Sequence, residues 1–346
     1  MTYNNIMQIL LTGGLGFIGS HVASLLGNMD NFKIIIVDNL SNSDTSTFTQ
    51  LKTLVKYPKN LVFEKGDILD VKFIHRIFQE YNISSIIHFA SLKAVAESIG
   101  NPLTYYHNNI NGLLQILSCM EIYQCKNLIF SSSATVYGND KKAPLEENMQ
   151  TGQDIINPYG QTKYFQEQIL HDFMNIHRDF QITILRYFNP VGAHPSGIIG
   201  ENPNDIPNNL FPYLLKVVTN EYPVLTIFGN DYNTKDGTCV RDFIHVMDVA
   251  DSHIVCLKNT EPGIYVYNVG TGKGVSVLEL VNTFEKANNC NVPYVFSSRR
   301  EGDSAETYAK VDKIQKMLGW STKYTLEDIC RDGYRFIQKQ LPDRIP

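Results

Sequence analysis

Tyr159 and Lys163 lie in the run Asn157-Pro158-Tyr159-Gly160-Gln161-Thr162-Lys163. Asn157 is suited to cap a helix and Pro158 to occupy its first turn, so the four-residue spacing places the phenol and the ammonium on one helix face. A lysine charge beside a tyrosine favours phenolate and lowers the pKa from its usual value of about 10. A phenolate near working pH can take a proton from a hydroxyl group. A surface helical pair is the competing reading. Upstream, Ser131-Ser132-Ser133-Ala134-Thr135-Val136-Tyr137-Gly138 follows a strand-like run. It contains no Gly-x-Ser-x-Gly elbow, which argues against a nucleophilic serine.

The second chemical signal lies near the amino end. In Gln8 to His21, a short apolar run leads into Gly13, Gly16 and Gly19, with Phe17 and Ile18 at the start of the following helix. Glycines at this spacing let the backbone turn tightly and approach a pyrophosphate at the helix N-terminus. Asp38 closes the second apolar run, where an acid binds an adenosine ribose and repels a 2′-phosphate, so the pattern predicts NAD rather than NADP. A strand-end turn is the alternative role for Asp38. A P-loop is excluded because Ser20-His21 stands where Lys-Ser/Thr is required.

Alternating strands and helices must position these groups. Strands are predicted at Gln8 to Leu11, Lys33 to Val37, Leu61 to Glu64, Ser85 to Phe89, Asn127 to Ser131 and Ile182 to Leu185, and helices at Phe17 to Gly27, Val71 to Tyr81, Pro102 to Tyr123 and Pro158 to Ile176. The order predicts an α/β fold, a Rossmann-like doubly wound parallel sheet binding ligands at the carboxyl ends of its strands. After Asn189 the sequence is rich in proline, glycine and asparagine, and periodicity returns at Leu210 to Thr219, Val246 to Leu257 and Val277 to Ala287. A division follows: residues 1–189 carry the cofactor and the Tyr/Lys pair, and residues 190–346 form a smaller mixed substrate region, from which strands or helices can return to the main domain.

With 346 residues, 43% hydrophobic content and a formal charge of −5, the chain is an ordinary globular protein without a basic footprint for nucleic acid. No apolar run approaches membrane-spanning length, and Met1 to Leu11 shows no secretory pattern. Six scattered cysteines without a Cys-x-x-Cys pair suggest a reducing cytoplasm, and the nine histidines show no metal-ligand spacing, so no metal is predicted.

Taken together, the motifs resemble the extended short-chain dehydrogenase/reductase family, and most closely its UDP-glucose (UDP-galactose) 4-epimerases. The similarity runs through Thr12 to His21, Asp38-Asn39-Leu40, Gly66-Asp67-Ile68, His88-Phe89-Ala90, Leu92 to Val95, Phe130 to Gly138 and Leu185 to His194. It continues through Ile206 to Leu210, Ile227 to Tyr232, Asp236 to Thr238, Val240 to Asp242 and Arg299 to Asp303. The resemblance implies that Asp38, Asn39, Asn42, Asp67, Ile68, Phe89, Ala90, Lys93, Asn108 and Tyr187 line the NAD site, with Lys163 on the nicotinamide ribose. It implies that Ser133 and Tyr159 hold the sugar 4-hydroxyl, with Lys93 also facing the sugar nucleotide. Asn189, Asn209, Leu210, Arg241, Arg300 and Asp303 would hold UDP, with the backbone from Thr226 to Phe228.

Two arginines also make independent sense, because a diphosphate bound to an acidic chain needs local cations; an Arg241–Asp242 salt bridge is the alternative. Such a site would move the C4 hydride to bound NAD and back to the other face of a 4-keto sugar, Tyr159 acting directly or through Ser133. A 4,6-dehydratase is disfavoured because Val136-Tyr137 follow Thr135 where an acidic pair is needed. A UDP-uronate 4-epimerase and a non-catalytic NAD/UDP-sugar sensor remain as alternatives. The sequence departs from the bacterial epimerase pattern at Ser91, at His107 and in Ser304 to Thr307. The resemblance places Thr307, where a tyrosine marks hexose-only enzymes, near the sugar C2 substituent. The smaller residue predicts tolerance of N-acetylated sugars; the alternative is that Thr307 simply begins a strand. The resemblance also implies a homodimer built on Pro102 to Tyr123 and Pro158 to Ile176.

Overall fold

The computed structural model describes residues 6–139, 141–202, 207, 209–300 and 302–341; Ile206, Asn208 and Glu301 of the motifs above lie outside the described residues. The chain divides into two compact units, and the division is not a single cut at residue 189. The first comprises residues 1–138, 150–186 and 250–267, and the second 139–149, 187–249 and 268–346.

The first unit is built on β1 (Met7–Thr12), α1 (Phe17–Leu26), β2 (Phe32–Asp38), α2 (Thr45–Leu54), β3 (Leu61–Lys65), α3 (Val71–Glu80), β4 (Ile83–His88), α4 (Val95–Gly100), α5 (Pro102–Tyr123), β5 (Asn127–Ser133), α6 (Pro158–Ile176) and β6 (Gln181–Tyr187). The strands join one seven-stranded sheet in the order β11-β6-β5-β4-β1-β2-β3, where β11 is Gly263–Val269. The pairs β1–β2, β1–β4, β2–β3 and β4–β5 are parallel. Ile34 to Val37, Ile86, Ile87, Leu128 and Ile129 are fully buried. Strands this apolar on consecutive positions belong inside a sheet covered on both faces, which is why they show no polar alternation.

Register then decides where the polar residues fall. Thr12 pairs with both Val37 and His88, and His88 pairs with Phe130. Gly13, Asp38, Phe89 and Ser131 therefore emerge one step further on, along a common carboxyl edge. On the core side, Ile74, Ile77, Ile116, Leu117, Met120 and Leu170 seat α3, α5 and α6 on this sheet.

In the second unit, β7 (Asn189–Val191) is followed by α7 (Leu210–Val218), β8 (Leu225–Phe228), β9 (Val240–Arg241), β10 (Phe243–His245), β12 (Val275–Ser276), α9 (Val277–Asn288), β13 (Tyr294–Ser297), β14 (Glu306–Thr307), α10 (Asp312–Leu318) and α11 (Leu326–Gln340), while α8 (Val246–Leu257) starts in it and continues as part of the first unit. Its short strands form β10-β7, β12-β9-β14 and β13-β8 sheets. Phe211, Leu214, Leu280, Phe284, Ile329 and Ile337 are among the residues of its own core.

The predicted strands and helices are present with shifts of one or two residues at their ends. Helices α2, α4, α10 and α11 were not expected. The first two have few apolar positions, but α11 opens with a capping box: the Thr325 side chain accepts from Asp328 N, and the Asp328 carboxylate accepts from Thr325 N.

Candidate active site

The glycine turn shows where a ligand can approach. Gly13 has φ +67°, and a Cβ there would stand 2.7 Å from Ala90 N, so any side chain would collide with the backbone leaving β4. Gly19 packs α1 on the turn, since its Cβ would meet Gly13 O at 2.5 Å. At Gly16 the sole near neighbour of an added Cβ is Gly13 O, at 3.3 Å. Gly16 is also the N-cap of α1, without a capping side chain and without an acid in the first turn. The N–H groups around Phe17 and Ile18 thus begin a helix that is electropositive and open to an anion, as a dinucleotide pyrophosphate requires.

Asp38 is buried at the end of β2. One carboxylate oxygen accepts from Leu15 N (3.0 Å), the other from Leu40 N (2.9 Å) and Ser43 Oγ (2.8 Å). The turn and the acid are thereby tied into one structure. Asn39 Nδ2 donates to Asp67 Oδ2 at 2.9 Å, which joins two more predicted residues. Exposed Asn42 follows in the same loop. Ile68 is a core residue, and Phe89 packs its ring against His253 at 5.0 Å. Lys93 lies over Phe17, 5.9 Å from its ring centre. Asn108 donates to Asn109 Oδ1.

Asn109, which sequence reasoning passed over, is the better-placed of that pair. It is fully buried, bonds both polar groups of Leu92 and donates to Thr162 Oγ1 on α6. It links the loop after β4 to the helix of Tyr159.

That helix forms as its sequence dictates, with Asn157 Oδ1 accepting from Gly160 N at 2.7 Å and Pro158 in the first turn. Lys163 is buried and donates to Ser131 O at 2.8 Å, its Nζ 5.0 Å from the Phe130 ring centre and 6.0 Å from that of Tyr159. Burial pulls the Lys163 pKa down to about 7, against the opposing charge of Glu167. Tyr159 differs from expectation. Burial pushes its phenol above the ordinary value, and the opposing, lowering influence is a hydrogen bond with Ser133 rather than the lysine. Desolvation disfavours the charged form of both groups at once, so sharing a helix face does not by itself yield a phenolate. Ser133 also accepts from Thr135 N at 3.2 Å, which fixes the turn after β5.

Tyr187 is the buried last residue of β6. The remaining predicted residues belong to the second unit. Arg241 on β9 donates through Nη1 to Val240 O and Ser304 O, both at 2.9 Å, and its Nη2 lies 3.5 Å from Asp303 Oδ1. Arg300 Nε donates to Asp303 Oδ2 at 3.0 Å, and its guanidinium lies 4.8 Å from the Phe228 ring centre. Asp303 thus bridges two cations. The alternative Arg241–Asp242 bridge is not formed: the buried Asp242 carboxylate accepts from Thr271, Gly272 and Ala309 instead.

Thr226 and Phe228 lie on β8, paired with Val295 and Ser297. Thr307 sits in β14 opposite Arg241, its hydroxyl 2.7 Å from Ser304 Oγ. Adjacent Tyr308 has its ring by Gly274, where a Cβ would stand 3.0 Å from Tyr308 Cδ1. Half-buried Asn189 opens β7 and donates its N–H to Asp242 O. Asn209 is the N-cap of α7 without a capping bond, and Leu210 begins that helix.

A sequence profile described as GDP-mannose 4,6 dehydratase matches residues 10–333, which places the chain in that broad family. A UDP-glucose 4-epimerase of Bacillus subtilis is 47% identical over 332 residues, covering 95% of this chain and 96% of the relative. The chain belongs to the UDP-glucose 4-epimerase family. The crystal structure of a member from Bifidobacterium longum, in complex with NAD+ and UDP, matches at TM-score 0.92 and 43% identity, covering 98% of this chain and all (100%) of that one. The UDP-Glc/GlcNAc 4-epimerase of Campylobacter jejuni matches at TM-score 0.82 and 31% identity over 96% of this chain and 99% of that one. Among the described residues, no helix is long and apolar enough to cross a membrane.

The two bonds donated to Asp38 from its own turn make this acid a support of the loop, beside the ribose contact expected of it from the sequence. Asp38→Ala is expected to weaken NAD binding at least tenfold and to narrow the gap between NAD and NADP, on the scale of a lost charge-assisted bond of about 1.5–3 kcal/mol. Titrating the cofactor-stripped protein with each nucleotide checks this, and an unchanged NAD:NADP ratio would make Asp38 purely structural.

Proposed function

We propose that the protein interconverts UDP-galactose and UDP-glucose by transient oxidation at sugar C4, using bound NAD. The observation that carries this reading is the convergence, within one unit, of an open glycine turn, an acid at the end of β2 and the Tyr159/Lys163 helix hydrogen-bonded to the end of β5. Bound NAD supplies the acceptor, and then the donor, of the C4 hydride.

The protein's own residues handle the proton and the nucleotide. Tyr159 takes the proton of the C4 hydroxyl, directly or through Ser133, and returns it after the sugar presents its other face. Because burial raises the phenol, the charge of Lys163 and that of the cofactor must favour the phenolate once the site is loaded. Arg241 and Arg300 hold the diphosphate, with Asp303 orienting both guanidinium groups. Asn189, Asn209, Leu210 and the β8 backbone complete the nucleotide contacts. A non-catalytic sensor would have no use for the Tyr159/Lys163 pair, and Val136-Tyr137 lack the acids that dehydration needs.

Two finer readings accompany this one. Thr307 leaves room that a tyrosine would fill, and Tyr308 is engaged by Gly274, so the sugar site accepts a 2-acetamido group as well as a hydroxyl. The protein is a homodimer through α5 and α6, whose Leu103 (81% exposed), Ile122 (57%), Phe165 (43%) and Ile176 (81%) present apolar surface that a second copy would cover. Six free cysteines suit a reducing cytoplasm.

Purified protein given UDP-galactose should form UDP-glucose, and Tyr159→Phe should lower kcat by about a hundredfold or more while retaining NAD; a variant with most of its activity would overturn the role of Tyr159. Thr307→Tyr should suppress UDP-N-acetylglucosamine turnover and spare UDP-galactose; equal loss on both, or a wild type inactive on acetylated sugars, refutes the pocket reading. Light scattering at micromolar concentration should give the mass of two chains, and a monomer mass ends the dimer proposal.

A further inference from the structure

Behind Lys163, and outside every role assigned above, lies a second buried polar cluster. Glu167 is four residues beyond Lys163 on α6 and 1% exposed; Arg186 on β6 is 4% exposed. The Arg186 fork closes on the carboxylate, Nε to Oε1 at 3.0 Å and Nη2 to Oε2 at 2.7 Å. Ser132 Oγ donates to Glu167 Oε1 at 2.5 Å. The guanidinium also lies 4.8 Å from the ring centre of Tyr137, in the turn after β5.

Ser132 stands between two residues of the candidate chemistry. Its predecessor Ser131 offers the carbonyl that accepts from Lys163, and its successor Ser133 is the hydroxyl that acts on the Tyr159 phenol. Glu167 therefore grips the middle of the strand end whose two flanks hold the lysine and the tyrosine. We propose that Glu167, clamped by Arg186, is a positioning residue that fixes the Ser131–Ser133 strand end against α6 and keeps an anion behind Lys163. A buried ion pair is often no better for stability than apolar residues of similar volume, so its presence here calls for a reason other than holding the fold.

The electrostatics agree with the geometry. The charged and titratable groups facing Lys163 are Tyr159 and Glu167 on its own helix and His88 on β4; Arg186 on β6 is neutralised by Glu167. Burial holds His88 neutral. Glu167 alone among them favours the ammonium, and removing its charge would leave Arg186 opposing it. Lys163 would then lose its proton at lower pH, and with it the field that helps form the Tyr159 phenolate.

The activity arm of the test rests on the epimerase reading, so a second arm does not. In Glu167→Gln, kcat for UDP-galactose at about pH 8 should fall about tenfold, the alkaline limb should move down by about one pH unit, and KM should stay within about twofold. Because this variant leaves the Arg186 charge buried without its carboxylate, the double variant Glu167→Gln/Arg186→Met is made alongside; it removes both charges of the pair and should fold while keeping the kcat loss. Independently, the Lys163 ammonium, followed by the NMR signal of its side chain and assigned by its loss in Lys163→Met, should titrate about one pH unit lower when Glu167 is replaced. A folded double variant with wild-type kcat, pH profile and Lys163 titration would overturn the proposal. A protein inactive on UDP-galactose whose Lys163 titration nevertheless moves down would sink the epimerase reading and leave this one supported.

Discussion

Parallel strands ending level with one another are the constraint on which the first unit depends. Apolar burial of β1, β2, β4 and β5 on both faces leaves one register in which Thr12, Val37, His88 and Phe130 align. A slip of one residue would turn every side chain of a strand to the opposite face and shift the loops beyond it. The glycine turn, Asp38, the Phe89–Ala90 backbone and the three serines all inherit their positions from that alignment. Their chemistry is local, but their placement is a property of the core.

How legible this was depended on how local each cause is. Asn157-Pro158 announced α6 to the residue, because cap and first-turn preferences act within a few positions. The apolar runs of β1 and β2 announced the sheet for a similar reason. The short strands β7, β9, β10, β12 and β14 gave no such sign: two- and three-residue ladders depend on partners far along the chain, as where Thr307 meets Arg241. Helix α11 is a different case, since Thr325-Leu326-Glu327-Asp328 carries a local cap that is legible in the sequence.

The candidate site divides in the same way. Residue types and spacing brought out Gly13, Asp38, Tyr159 and Lys163, and the family resemblance added Arg241, Arg300 and Asp303. Neither brought out Asn109 or Glu167, although Glu167 continues the Tyr159–Lys163 spacing by another four residues. Its meaning rests on Arg186 and Ser132, which approach it only through the sheet. Burial was the least legible property. It reverses the simple expectation for Tyr159, because a pKa responds to solvent removed by the whole fold as well as to a neighbour on one helix.

The two arginines around Asp303 carry one further consequence. Each guanidinium already has a carboxylate oxygen for a partner, so their mutual repulsion is screened before any nucleotide arrives. On the reading proposed for these arginines, an incoming diphosphate would meet cations that are preorganised by a neighbour, and would have to share them with an anion of the protein. Competition of that kind moderates affinity while preserving geometry, which suits an enzyme whose substrate and product differ at one carbon and must both depart from the same grip.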